Sequence, residues 1–135
     1  MPVAVARRRE ALEHEIELRQ HRLIVDEPQQ RGGGDAGPTP TELLAAALAA
    51  CTAITIEMYA DRKEWELGRV ECSADYGEPS ADGSPSFAVS IRVPAELSEE
   101  QLERLRVIAG KCPVHRTLTA QNVEITDTIE TAATA

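Results

Sequence analysis

One apolar run, Leu43 to Ala60, limits what this chain can fold into more than any other feature. Thr39 is placed to cap a helix, Pro40 suits its first position, and Glu42 stands three residues after Thr39, the pattern of a capping box. A helix is expected from Pro40 to about Lys63. Its middle is apolar almost all round, so it must be wrapped by a sheet, by other helices or by a second subunit. The run approaches the length of a membrane span. However, Thr52, Thr55 and Glu57 interrupt it and many of its residues are alanine, which contributes little to insertion. A buried helix of a cytoplasmic protein is the better reading, with no membrane partner.

The rest of the composition agrees. The chain has 135 residues, enough for one domain, 1–135, with a core that needs no staples. Fourteen Lys and Arg against 23 Asp and Glu give a net charge of −9, which repels nucleic acid. Aromatics are only 3%, so the core is aliphatic and little is left for stacking bases. The basic residues of Met1 to Arg9 are followed by no apolar run, so no signal peptide is expected. Three cysteines, Cys51, Cys72 and Cys112, are an odd number without a disulfide framework.

The flanking segments read as a mixture of strands and helices. Ile16 and Leu18 alternate with charges, and Leu23-Ile24-Val25 looks like a strand core, so two strands are favoured over a helix between Ala11 and Asp26. Glu27-Pro28 ends the second of them. Gln29 to Pro38 is a glycine-rich loop that no side-chain packing is expected to hold. It lacks the lysine and spacing of a phosphate loop. Beyond the long helix, Trp65 to Tyr76 and Ser86 to Val93 read as a hairpin around a turn at Gly77 to Pro85. Leu97 to Ala109 reads as an amphipathic helix capped by Ser98, with Leu102, Leu105, Val107 and Ile108 buried. Pro113 to Leu118 is a short helix, Val123 to Ile129 a last strand, and Thr131 to Ala135 a frayed tail. This order gives an α+β fold.

Among the cysteines, Cys51 sits on the face of the long helix that holds Leu44, Ala47, Leu48, Thr55 and Met58, and by itself reads as a small buried hydrophobe. Cys72 falls within a strand and reads as core. Cys112 differs, because Lys111 precedes it and His115 and Arg116 follow within a turn. At the start of a short helix its thiolate would be favoured. It could be an attacking or resolving thiol, or simply a small capping residue. Cys112 with His115 also has a metal-like or dyad-like spacing. A closed zinc site would need Cys51, His14 and His21 to converge as well, and no third group orients a dyad, so neither metal nor cofactor is implied.

Gly37-Pro38-Thr39-Pro40-Thr41-Glu42-Leu43-Leu44 running into Ala49-Ala50-Cys51, together with Lys111-Cys112-Pro113-Val114, resembles the OsmC/Ohr family of thiol-dependent hydroperoxide reductases. His21 to Pro28, the glycine-rich loop, and Tyr59 to Lys63 followed by Trp65 look like its shorter, OsmC-like branch. The likeness runs from about residue 15 to about residue 130. It implies an OsmC-like fold in which long central helices are wrapped by antiparallel sheets in an intertwined homodimer with active sites at the interface. It further implies an antioxidant peroxidase in which Cys51 becomes a sulfenic acid on a hydroperoxide substrate, Cys112 resolves it as a disulfide, and a dithiol reductant reopens the bond.

The family also uses an arginine to hold the thiolate and a glutamate to orient it. Arg31, eight residues before Thr39, matches the arginine, with Arg22 a rival. The glutamate position, ten residues before Cys51, holds Thr41. Glu42 is one residue late and should point away. That departure motivates an alternative, a non-enzymatic dimer that binds a small lipophilic ligand or thiol compound at its interface.

Overall fold

The computed structural model describes residues 3–79, 81 and 83–132. The chain begins with three antiparallel strands, β1 (Ala4–Glu10), β2 (Glu13–Leu18) and β3 (His21–Val25), in that spatial order. The register pairs Arg7 with Glu15 and Ile16 with Leu23, and a bulge lies between Arg8 and Glu10. Ala11 and Arg19 adopt left-handed backbone at the two turns, the conformation that tight hairpins require. β2 and β3 fall where alternation predicted strands, whereas β1 was not anticipated. Its Arg7-Arg8-Arg9-Glu10 stretch has no apolar alternation. It is held in the sheet by its backbone pairing with β2, with Arg7 3.8 Å from Glu17 and Arg9 3.2 Å from Glu13 alongside.

A short 3-10 turn (Gln29–Arg31) leads to α1 (Pro40–Lys63). Both arms of the capping box are present: the Thr39 hydroxyl accepts from the Glu42 N–H at 3.1 Å, and the Glu42 carboxylate accepts from the Thr39 N–H at 2.8 Å. The helix ends at Glu64, which turns left-handed. α1 is apolar and long enough by composition to cross a membrane, with a mean hydropathy of 1.7 over its most apolar window. Here it packs instead against the β-hairpin β4 (Glu71–Gly77)–β5 (Ser86–Arg92) and against α2 (Glu99–Ala109) and α3 (Pro113–Thr119).

Ile56, Tyr59, Ala60, Leu67, Leu105 and Ile108 form the core of this half, with Trp65, Val70, Val93, Leu97 and Ala109 packed around them. α2 begins at Ser98 with its own reciprocal cap to Gln101. Leu105 and Ile108 are buried as expected, but Val107 is exposed. β4 starts only at Glu71, so the Trp65 to Val70 portion of the expected strand is a connection from helix to hairpin.

Three departures matter for function. First, α1 is covered on one side only. Leu48, Thr52, Ile56, Tyr59 and Ala60 are buried, while Leu44, Ile54 and Met58 are exposed, the last two by more than half (55% and 56%). Second, Val123 to Ile129 is not a strand: it has no ladder partner, and Ile125 and Ile129 are 79% and 92% exposed. Alternation suits a strand, but among the described residues no sheet edge pairs with it. Third, the glycine-rich loop is held after all, by Asp26. The expected fraying concerns Thr131 to Ala135, of which residues 133–135 lie outside the described residues.

Candidate active site

Cys51 lies midway along α1, half-buried, at the border between the covered face and the open one. Cys112 is the residue immediately before α3 and is fully sealed from solvent. Pro113 opens α3 without needing an N–H partner, and the turn brings the start of α3 against α1. The result joins two residues far apart in sequence: the Cys51 and Cys112 sulfurs are close enough that each shifts the other's titration.

The two sulfurs are not equivalent. Burial pushes the Cys51 thiol up, and the neighbouring Cys112 pushes it further, both by taking its hydrogen bond and by its charge. The Val114 N–H and the Thr55 hydroxyl offset this only in part. For Cys112, burial also acts upward but is outweighed. The Cys51 thiol, the His115 and Val114 N–H groups and the Thr52 hydroxyl together bring Cys112 below the ordinary thiol value. Those N–H groups act as oriented dipoles rather than as a full capping bond, since Cys112 makes no side-chain cap hydrogen bond. The start of a helix thus favours thiolate at Cys112, the direction its sequence neighbours indicated. Thr52 was not anticipated. It is a polar residue buried beside Cys51, and a threonine next to the cysteine in an apolar run was the available signal.

Cys72 sits on β4, half-buried and paired with Ile91 across the hairpin. Burial and the charge of Cys112 both push its thiol up. His115 supplies its backbone N–H to the pair, and its side chain lines a cavity of about 240 Å³ with Leu48, Phe87, Val89 and Leu118. His14 is elsewhere, on β2, with Nδ1 2.9 Å from the Leu12 carbonyl oxygen, and His21 is exposed at the start of β3. The structure therefore does not gather the histidines around Cys112.

The charged candidates also lie apart from the thiols. Arg31 is exposed, 3.9 Å from Glu27 and 3.7 Å from Glu78. Arg22 is engaged on the sheet by Glu15 at 2.6 Å and Glu17 at 3.3 Å. No arginine is among the leading influences on either thiol. Glu42 is committed to the capping box, and Thr41 is exposed on the first turn of α1.

Comparison with known proteins places this geometry in context. Solved structures share the fold at low identity. A protein from Psychrobacter arcticus 273-4 superposes with a TM-score of 0.76 at 22% identity, over 86% of this chain and 87% of that one. An OsmC-like protein from Mycoplasma pneumoniae gives 0.71 at 20%, over 90% and 89%. An organic hydroperoxide resistance protein from Legionella pneumophila gives 0.66 at 20%, over 88% and 89%. No curated protein matches the sequence. The family model described as OsmC-like protein matches residues 32–127, a span that includes both Cys51 and Cys112. With most of its length matched by that model, this chain belongs to the OsmC-like protein family.

Proposed function

We propose that the protein is a thiol peroxidase of organic or small hydroperoxides, acting in the cytoplasm as a homodimer. The observation that carries this reading is the meeting of Cys51 and Cys112, each of which shifts the other's titration. Cys51 is the more accessible of the two, and Cys112 the one better able to hold negative charge.

In the proposed cycle, the Cys51 proton passes to the adjacent Cys112 sulfur, leaving a Cys51 thiolate. That sulfur attacks the terminal oxygen of ROOH; the O–O bond breaks and the alkoxide takes the proton held by Cys112, leaving as ROH. Cys51 is now a sulfenic acid. The Cys112 thiolate attacks the Cys51 sulfur, the S–O bond breaks, and hydroxide leaves as water with a proton from solvent. A dithiol reductant then opens the disulfide by exchange, ending as its own disulfide. The cavity beside Leu48, Phe87, Val89 and Leu118 is apolar enough for the organic part of the substrate.

A buried thiol pushed upward is a poor nucleophile unless a cation joins it. Arg31 is proposed to supply that charge from a second copy of the chain. Three features support the dimer. The open stripe of α1 carries Leu44, Ile54 and Met58. The β1–β3 sheet makes at most marginal contact with the other strands and helices of its chain. The segment around Ile125 and Ile129 lies uncovered. Exposed apolar surfaces of this extent mark association sites.

The test is turnover. Hydroperoxide consumption should require a dithiol. Cys51→Ser should abolish it, and Cys112→Ser should accumulate a sulfenic acid that a dimedone probe traps. Turnover unchanged in Cys51→Ser contradicts the reading. One observation favours a second reading, a non-enzymatic binder of a lipophilic or thiol compound: Glu42 is committed to the helix cap, where it cannot orient an arginine. A copurifying ligand in native mass spectrometry, with no turnover, supports that alternative.

A further inference from the structure

We propose that Asp26 is a positioning residue for the thiol chemistry: its buried carboxylate fixes the loop that carries Arg31 to the start of the helix that carries Cys51. The inference rests on the reading of Arg31 as the cation that activates Cys51.

Asp26 follows the last residue of β3 and is only 2% exposed. Both carboxylate oxygens are in use. Oδ1 accepts from the Glu27 N–H at 2.8 Å, and Oδ2 accepts from the N–H groups of Gly34 at 3.1 Å and Ala36 at 3.0 Å. The Asp26 N–H donates to the Pro38 carbonyl at 3.1 Å, one residue before the cap of α1. The loop closes on itself in between, with Asp35 N–H to Glu27 at 3.0 Å and both Arg31 and Gly33 N–H to Pro28 at 2.9 and 3.1 Å.

Two glycines are required by this closure. A Cβ on Gly33 would lie 1.9 Å from the Glu27 carbonyl oxygen, and one on Gly37 2.3 Å from that of Ile24. The loop is therefore a bracket bolted to one carboxylate, and the bracket has two arms, the Arg31 turn and the first residues of α1.

The Arg31 side chain contrasts with its backbone. Its ion pairs to Glu27 and Glu78 are long and solvent-facing, and such pairs hold little. A fixed root with a loose guanidinium suits a residue that must reach into another subunit's pocket. The three N–H bonds to the Asp26 carboxylate hold the loop backbone, and with it the root of Arg31, in one place.

The test compares Asp26→Asn with Arg31→Met by following the rate of oxidation by an organic hydroperoxide across pH, with melting temperature measured alongside. Asn keeps the shape but presents an N–H group to the loop's own N–H groups. Both variants should move the reactive inflection to higher pH, by about one unit or tenfold in rate at neutral pH. The double variant should be no slower than Arg31→Met alone. A normal profile in Asp26→Asn beside a shifted one in Arg31→Met overturns the inference and leaves the role of Arg31 standing. A shift in Asp26→Asn alone, or additive losses in the double variant, also overturns it. Normal profiles in both overturn the reading of Arg31, and the inference with it. Should Asp26→Asn fail to fold, Asp26→Glu, which keeps the charge and displaces the loop by one methylene, gives the same readout.

Discussion

The two halves of this chain differ in where their stability comes from. The half built from α1, α2, α3 and the β4–β5 hairpin has its own core, centred on Ile56, Tyr59, Leu105 and Ile108. The β1–β3 sheet and the segment beyond α3 have none: Leu23, Val123, Ile125 and Ile129 stay exposed, and the sheet rests on its antiparallel backbone ladder with ion pairs across it. Three short strands need a covered apolar face to persist. One half thus has a buried core within its own chain, whereas the other leaves its apolar side chains open, the surface that the proposed second copy would cover. The thiol pair lies on the seam, since Cys51 borders the open stripe of α1.

The largest effect should come from breaking that proposed contact. Ile54→Asp puts a charge on the open stripe without touching the core. An isoleucine contributes ~1.5–3 kcal/mol when fully buried, and a two-fold interface counts the loss twice. Dimer dissociation should strengthen by at least about a hundredfold, and sedimentation or light scattering should report monomers. A dimer unchanged by Ile54→Asp would place the interface elsewhere.

A matched pair of truncations sharpens the contrast. Ile56→Ala should cost ~2–5 kcal/mol in chemical denaturation, with the same loss at every protein concentration. Ile125→Ala should cost less, ~1.5–3 kcal/mol, and its effect should fade on dilution. Equal behaviour of the two variants with concentration would erase the distinction between the halves.

The smallest effect is local and set by pH. The N–H groups of Ala36 and Glu27 hold the Asp26 carboxyl below its usual range against the cost of burial, with help from Gly34 and the charge of His14. A carboxyl whose folded value is depressed stabilises fully above its unfolded value, and that contribution is lost as pH falls through the folded value. Amide exchange should therefore show Gly34 and Ala36 protected at neutral pH and opened only in acid below the ordinary carboxylate range. Loss of protection already near pH 6 would contradict the clamp.

Much of the self-contained half was legible in the sequence, because its signals are local. Thr39-Pro40 with Glu42 announced α1 at both the cap and the first turn, Ser98 announced α2, and Phe87, Val89 and Ile91 kept strict alternation through β5. The open half was harder because its determinants are not local. β1 is a strand through its backbone pairing with β2 rather than through its own side-chain pattern. Val123 to Ile129 has a strand's alternation with no sheet edge among the described residues paired to it. Asp26, next after β3, carries no motif of its own. The usable signal was the cluster of small, N–H-bearing residues after it, which can close around a carboxylate where larger side chains cannot. At the site, helix-start chemistry indicated the direction of Cys112, whereas its meeting with Cys51 rested on family resemblance, since nothing in the spacing of the two residues foretells it.

The account depends on two distant sulfurs working as one unit, and peptide mapping tests that directly. Reduced protein is given one equivalent of an organic hydroperoxide without reductant, its remaining thiols are blocked, and it is digested. The account predicts a cross-linked peptide joining Cys51 to Cys112 within each chain, with Cys72 recovered as a blocked thiol. Recovery of Cys51 and Cys112 as blocked, unoxidised thiols after the peroxide is added would contradict it.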